Sequence, residues 1–153
     1  MFPCSAVFNP LYTMTRINVG IEPTNLPDEL LLAELREIKR LPYFKRTLKD
    51  QTPPQEFTLG KGHIKFFMTR LRYARERYKR LKEEAERRGF MVTDFSQNFE
   101  GLGENEEEWW PGIKDKEKII ERISQRVRES KKKCWHYYRR QITKEEVISQ
   151  LRA

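Results

Sequence analysis

The feature that most constrains the fold is a helical repeat of apolar residues between residues 64 and 85. The apolar side chains recur every three or four positions over many turns, at Ile64, Phe67, Met68, Leu71, Tyr78, Leu81 and Ala85. A repeat of this period predicts an amphipathic helix. Gly89 followed by Phe90 predicts its end, because glycine readily adopts the left-handed conformation that closes a helix. The sequence therefore predicts one long, continuous helix in the middle of the chain.

A second helix is predicted near the start of the chain, over residues 27 to 40. Leu31, Leu35 and Ile38 lie at positions i, i+4 and i+7 and form one apolar face. Asn25 or Asp28 can cap the helix, with a proline tolerated in its first turn. It should end before Pro42, and the stretch from there to the two prolines at 53 and 54 is predicted to be a loop.

A third helix is predicted from Asp115 to about Lys132. Ile120, Ile123 and Val127 should face inward, whereas the arginines at 122, 126 and 128 should face outward. Residues 91 to 114 show no countable period and are predicted to be an ordered, irregular connection.

The fold class predicted from these patterns is all-α. A chain of 153 residues has the length of one domain, which we expect to be compact and built on three main helices. An aromatic and basic tail follows the third helix. Thr143 and Glu146 then form a capping box that predicts a short extra terminal helix. No strand pattern is apparent.

The charge of the chain favours a polyanionic partner. Lys and Arg number 31 against 23 Asp and Glu, which gives a net charge of +8. Nucleic acid is the first candidate and an anionic membrane the second, although a basic solvated surface accounts for the charge equally well. The cysteines and histidines show no metal-ligand spacing, and no segment is apolar enough to cross a bilayer. We expect a cytoplasmic, monomeric protein that needs no cofactor and no metal.

Three stretches carry residue types suited to chemistry or binding. On helix 27 to 40, Glu37 lies between arginines on the face opposite the apolar one; the alternative is a plain i,i+3 ion pair with Arg40. The glycine-containing stretch from Phe57 to His63 could hold a phosphate or could be an ordinary helix-entry loop. The stretch from Trp135 to Arg140 could stack on bases or could dock the tail on the core.

Several stretches together resemble the pyrimidine-dimer DNA glycosylase family, also called endonuclease V of the phage type. The matching stretches are Met14-Thr15-Arg16-Ile17-Asn18, Ala33 to Ile38, Phe57 to Phe67, Arg88-Gly89-Phe90 and Trp135 to Tyr138. They keep the family's order and approximate spacing. Leu30, Lys39 and His136 depart from the family's usual residues. The resemblance implies an enzyme that excises ultraviolet-induced cyclobutane dimers and then cuts the strand at the abasic sugar.

The resemblance also implies roles for individual residues. Thr15, once Met14 is removed, would supply the nucleophilic α-amine, and Glu37 would be the acidic catalytic residue. Arg16, Arg36 and Arg40 would hold the DNA. Further DNA contacts are expected from basic and aromatic residues, namely Lys61, His63, Arg126, Lys131, Trp135, Tyr137 and Tyr138. The implied partner is double-stranded DNA containing pyrimidine dimers or abasic sites.

The thirteen residues before Met14 decide whether this chemistry is available. We expect translation to start at Met14 or the leading residues to be removed, so that residues 14 to 153 form the glycosylase domain. If the leading residues are retained, the sequence favours a catalytically inactive helical DNA-binding protein. A lyase that acts only on abasic sites is a further alternative.

Overall fold

The computed structural model describes residues 17–104, 106 and 108–153. Six α-helices follow one another along this part of the chain: α1 (Asp28–Ile38), α2 (Leu41–Thr47), α3 (His63–Phe66), α4 (Leu71–Arg87), α5 (Ile113–Glu129) and α6 (Lys144–Leu151). A two-stranded hairpin, β1 (Trp135–Tyr137) and β2 (Arg140–Ile142), separates α5 from α6. Short 3-10 turns occupy Pro23–Asn25, Gly60–Gly62, Phe67–Thr69 and Ser96–Phe99. The all-α class is confirmed.

The core forms where α1 packs against α4, and buried residues of α5, which packs against α6, belong to the same hydrophobic cluster. Leu31, Leu35 and Ile38 of α1 are buried, as the helical spacing predicts. Ile120, Ile123 and Val127 of α5 are buried as well. Burial of a side chain of this size contributes about 1.5–3 kcal/mol. The apolar faces predicted from the sequence are therefore the faces that hold the domain together.

The predicted central helix is interrupted, and in this respect the prediction is wrong. After α3 and a 3-10 turn, the backbone leaves helical geometry at Arg70, with φ −134° and ψ 35°, and α4 begins at Leu71. The buried Arg70 guanidinium lies over the Phe66 ring, 4.0 Å from its centroid, and donates to the Phe66 carbonyl at 2.8 Å. This side chain satisfies a backbone carbonyl at the break and so stabilises the interruption.

The predicted end of the central helix is confirmed. Gly89 has φ +87°, and the Phe90 N–H donates to the Ala85 carbonyl at 3.0 Å. The Gly89 N–H donates to the Glu86 carbonyl at 2.9 Å. These two bonds form the Schellman motif, which satisfies carbonyls that the last turn leaves unpaired.

The stretch after Pro42 is not wholly a loop, because α2 occupies its first half. Pro42 is the second residue of α2. A proline lacks a backbone N–H, but the first helical turn has no intrahelical acceptor for that group, so the helix tolerates it there. The loop predicted between the prolines is therefore restricted to the residues after Thr47.

The hairpin contradicts the prediction that the chain has no strand. Trp135 pairs with Ile142 and Tyr137 with Arg140, across a turn in which Tyr138 and Arg139 both have positive φ. Such turns usually contain Asn or Gly, so this sequence gives no local signal for one. The N–H groups of the two turn residues donate to the Asp28 carboxylate at 3.1 and 2.7 Å. A residue more than 100 positions away thus stabilises the turn.

The last helix begins where the capping box predicts. The Thr143 hydroxyl accepts from the Glu146 N–H at 3.1 Å, and α6 follows immediately. The predicted irregular connection between α4 and α5 contains only one 3-10 turn among its described residues. Within it, Trp109 packs edge-on against Phe66 and Tyr73, with ring centroids 4.9 Å apart in each case.

Candidate active site

The polar face of α1 carries Arg36 and Glu37, and Arg40 follows just beyond the end of the helix. Arg36 and Arg40 are exposed, whereas the Glu37 side chain keeps 16% of its accessible surface. The ion pair predicted from the spacing is present, with 3.4 Å between Arg40 Nη1 and Glu37 Oε2. A pair at this distance with a half-exposed guanidinium contributes about 0–1 kcal/mol. This face therefore offers a carboxylate beside cationic groups, as a site for a DNA sugar would require.

The two residues expected to begin the active chain, Thr15 and Arg16, lie outside the described residues. The described chain begins at Ile17, which is fully buried, as are Val19 and Ile21. The Asn18 side-chain amide donates to Glu34 Oε1 at 2.9 Å. Glu34 lies on α1 three positions before Glu37, on a neighbouring part of the helix surface. The segment that follows Thr15 is therefore attached to the helix that carries the proposed catalytic carboxylate.

A buried ion pair fixes this segment and α1 to α4. Arg77 Nη2 donates to Glu34 Oε1 at 3.0 Å, and Arg77 Nη1 donates to the Ile21 carbonyl at 2.9 Å. Burial alone would lower the pKa of Arg77, but the charge and hydrogen bonds of Glu34 raise it above its usual value. Arg77 stays charged and links the segment from Ile17 to Ile21, helix α1 and helix α4.

The loop expected to contact phosphate has one exposed and one buried member. Lys61 is exposed in the 3-10 turn before α3. His63 instead is 3% exposed, with Nε2 accepting from the Ile17 N–H at 2.8 Å and Nδ1 lying 3.1 Å from the Thr58 carbonyl oxygen. A surface histidine, as a plain helix-entry loop would have, does not fit this burial, and the DNA contact expected of His63 stays a prediction. The histidine contacts the same segment that Asn18 attaches to α1.

The C-terminal aromatic residues dock the tail on the core. Trp135 is buried, and the Tyr138 hydroxyl donates to Glu84 at 3.1 Å. The Arg88 guanidinium lies 4.8 and 4.9 Å from the ring centroids of Tyr137 and Tyr138. Burial, followed by the hydrogen bond and charge of Glu84, raises the pKa of Tyr138. These contacts match the docking alternative, and they do not leave Trp135 or Tyr138 as open stacking surfaces.

The expected DNA-contact residues fall into two groups. The His136 N–H donates to Glu29 at 3.1 Å, so the tail meets α1 near its first turn. Glu37 lies eight residues later, which is about 12 Å along a helix. Lys61 and His63 form the other group, in which His63 is connected to α1 through the adjacent residues Ile17 and Asn18. Arg126 is partly exposed in the last turns of α5, and Lys131 is exposed just beyond α5, on the side of the tail.

Sequence reasoning missed the buried charges within α4 and at its C-cap, which hold the described part of the site in place through ion pairs. Arg77, Glu84 and Arg88 are 4%, 1% and 5% exposed. Each lies three or four positions from Leu81 or Ala85 and so falls within the apolar stripe of α4. This placement could have identified them as buried, paired residues from the sequence, because a charged residue in a buried stripe needs a partner.

Between residues 17 and 153, apart from 105 and 107, no group of three or more His, Cys, Asp or Glu side chains is placed to hold a metal ion. In the same part of the chain, none of the helices has the length and apolar character needed to span a membrane.

A family model described as pyrimidine dimer DNA glycosylase matches residues 14–98, which is more than half of the 153 residues. The matched range includes the segment at Ile17, the polar face of α1, the loop at Lys61 and His63, and all of α4. It begins at Met14 and stops before α5 and the tail.

Proposed function

Because the chain belongs to the pyrimidine dimer DNA glycosylase family, we propose that it cleaves dimer-containing DNA in two steps, with the α-amine of Thr15 as nucleophile and Glu37 as the acidic residue. The family assigns DNA glycosylase activity and a DNA substrate. The two-step mechanism, the lyase activity and the roles of the two residues are the proposal. The observation that carries it is the hydrogen bond from Asn18 to Glu34, which attaches the segment after Thr15 to α1 near Glu37.

An N-terminal amine suits the first step. An α-amine has an ordinary pKa of about 7.7–8.0 against about 10.4 for lysine, so roughly a tenth of it is neutral and nucleophilic at pH 7. Its nitrogen would attack C1′ of the damaged nucleotide, and the glycosidic bond would break with its electrons leaving on the base. Loss of the amine protons, with opening of the sugar ring, gives an imine between Thr15 and C1′.

Glu37 suits the second step. The imine makes the proton on C2′ acidic, and an ionised carboxylate can remove it while stabilising the cationic sugar. The electrons from the C2′–H bond form a double bond as the bond from C3′ to the phosphate oxygen breaks. Water then hydrolyses the imine and restores the amine. This β-elimination cuts the strand and makes the enzyme both a glycosylase and an abasic-site lyase.

Access to C1′ requires the duplex to deform. A nucleotide in a stacked helix must be displaced, at a cost of a few kcal/mol, and a dimer that already weakens stacking lowers that cost. We propose that the exposed Arg36 and Arg40 hold the distorted backbone beside Glu37. The expected functional state is a monomer on double-stranded DNA.

Borohydride trapping tests the nucleophile directly. A protein that begins at Thr15 should become covalently attached to dimer-containing DNA when borohydride reduces the imine. A protein that retains residues 1 to 14 should not, because the Thr15 nitrogen is then an amide whose lone pair is delocalised into the carbonyl. The N-terminus of each form is verified by the mass of its first peptide.

The other outcomes identify the alternatives. Equal trapping by the intact long form would assign the attack to a lysine or to the Met1 amine and would exclude Thr15. Trapping of abasic DNA but not of dimer-containing DNA would indicate a lyase without dimer excision. If neither form traps either substrate while both bind DNA, the chain is a catalytically inactive DNA-binding protein.

A further inference from the structure

His63 is held rigidly in the core by aromatic rings on two sides. The Phe57 and Phe67 rings meet the imidazole edge-on, with centroids 5.5 and 5.3 Å away. Edge-to-face contacts of this kind are favourable in themselves, and close packing prevents the ring from turning without displacing its neighbours. The imidazole therefore presents each nitrogen in one fixed direction.

The backbone partners of the two nitrogens determine the proton position. Nδ1 lies 3.1 Å from the Thr58 carbonyl oxygen, which can only accept, so Nδ1 carries the hydrogen. Nε2 lies 2.8 Å from the Ile17 nitrogen, which can only donate, so Nε2 is the acceptor. The ring is thus a neutral imidazole that joins the loop before α3 to the start of the described chain.

Among the described residues, the bond from Ile17 to His63 is the first attachment of the chain to the core. The bonds from Asn18 to Glu34 and from the Gly20 N–H to the Tyr73 hydroxyl follow later in the segment. Two residues of chain span at most about 7 Å. When the Ile17 nitrogen is held in place, a group two residues upstream can therefore reach only a limited volume around it. When this nitrogen is free to move, that restriction is lost.

We propose that His63 is a positioning residue for the glycosylase reaction, acting through the Ile17 N–H, which it fixes two residues after the proposed nucleophile. The inference rests on the function proposed above, since it needs Thr15 to supply the amine. It gives His63 a role within the protein, besides the DNA contact expected from the sequence. The rate of imine formation depends on where the amine lies relative to C1′, and a misplacement of about 1 Å can slow a reaction about 100-fold.

Two matched substitutions separate the two bonds of the ring. In His63→Gln the side-chain oxygen can occupy the place of Nε2 and accept from Ile17. In His63→Asn the shorter amide can occupy the place of Nδ1 and donate to Thr58, but it does not reach Ile17. Both variants lose the aromatic ring, so their effects on packing should be similar. Val147→Ala, a buried change in α6, serves as a control for lost stability alone.

The measurement is the single-turnover rate of borohydride trapping on dimer-containing DNA, at saturating DNA and with the folded fraction checked by circular dichroism. We expect His63→Gln to stay within about threefold of the unsubstituted chain and His63→Asn to be about 10- to 100-fold slower, with little change in the DNA dissociation constant of either. Hydrogen exchange at the Ile17 amide should be faster in His63→Asn than in His63→Gln.

Two outcomes would overturn the proposal. Equal trapping rates for the Gln and Asn variants would show that the acceptor for Ile17 does not position the amine. A slowing in Val147→Ala as large as in His63→Asn would attribute the effect to stability. Failure of the unsubstituted Thr15 protein to trap would instead refute the proposed function, and with it the role of His63.

Discussion

At the scale of single residues, Glu37 should separate DNA binding from chemistry. Glu37→Gln keeps the shape of the side chain but removes its charge and its ability to accept a proton. We expect strand cleavage at abasic and dimer sites to fall about 10²- to 10⁴-fold, because a positioned acid–base group contributes that much. DNA affinity measured by fluorescence anisotropy should be retained.

A second glutamate controls for the change in charge. Glu83 on α4 is exposed, and Glu83→Gln removes one negative charge without touching the proposed site. Its cleavage rate should match that of the unsubstituted chain. Unchanged cleavage in Glu37→Gln would return Glu37 to the role of an ion-pair partner of Arg40.

The sequence predicts the surroundings of some single residues and not those of others. The helical spacing places Glu37 among arginines on the exposed face, but its catalytic role is implied only by the resemblance to a family. His63 could not be placed, because its acceptor role depends on Ile17, which lies 46 residues earlier. Glycine residues next to a histidine indicate an adaptable loop, but they do not show whether the ring turns toward solvent or toward the core.

At the scale of elements, the end of α4 should determine whether the tail stays docked. Arg88 has a fully buried side chain that donates to Asp28 at 2.9 Å and to the Leu26 carbonyl at 2.7 Å. Arg88→Met would leave Asp28 and Glu84 without this guanidinium. We expect a loss of about 3–5 kcal/mol in the free energy of unfolding, measured by urea denaturation.

The adjacent arginine provides a matched control. Arg87 bonds the same Glu84 at 2.6 Å, but its side chain is 58% exposed. Arg87→Met should therefore cost less than about 1 kcal/mol. Equal losses for the two variants would mean that burial of the charge network contributes nothing at this end of α4.

The elements that could be predicted from sequence are those with local causes. Helices α1, α5 and α6 follow from apolar spacing within each element, and the capping box at Thr143 starts α6. The cap predicted for α1 at Asn25 or Asp28 is wrong, because Pro27 holds the N-cap position and no side chain caps the helix there.

The hairpin and the helix break involve distant contacts, since the Asp28 carboxylate holds the turn at Tyr138, and the Arg70 guanidinium at the break donates to the carbonyls of Pro54 and Gln55. Counting the period of the apolar residues detects neither contact. It therefore predicts a central helix that runs through the break, and it misses the strands.

At the scale of the whole molecule, the path of the first described segment joins the site together. Residues 17 to 21 contact α1 through Asn18, α4 through Ile21 and the first residue of α3 through Ile17. Their partners lie 16, 56 and 46 residues away, so no local pattern could show it. The resemblance to a family indicated which residues belong to the site, and the fold supplies the contacts that bring the described ones together.

The net charge of +8 leads to the prediction for the molecule as a whole. Binding to double-stranded DNA releases counterions, and about six phosphate contacts should give a slope of log K against log salt concentration near −5. Arg36→Gln should make the slope less steep by about one, because an exposed phosphate contact is lost. Anisotropy titrations over a range of salt concentrations measure both slopes. A slope indistinguishable from zero for the unsubstituted chain would contradict the DNA interface altogether, for an active glycosylase and for an inactive DNA-binding protein alike, because neither can hold a duplex with this charge without displacing its counterions.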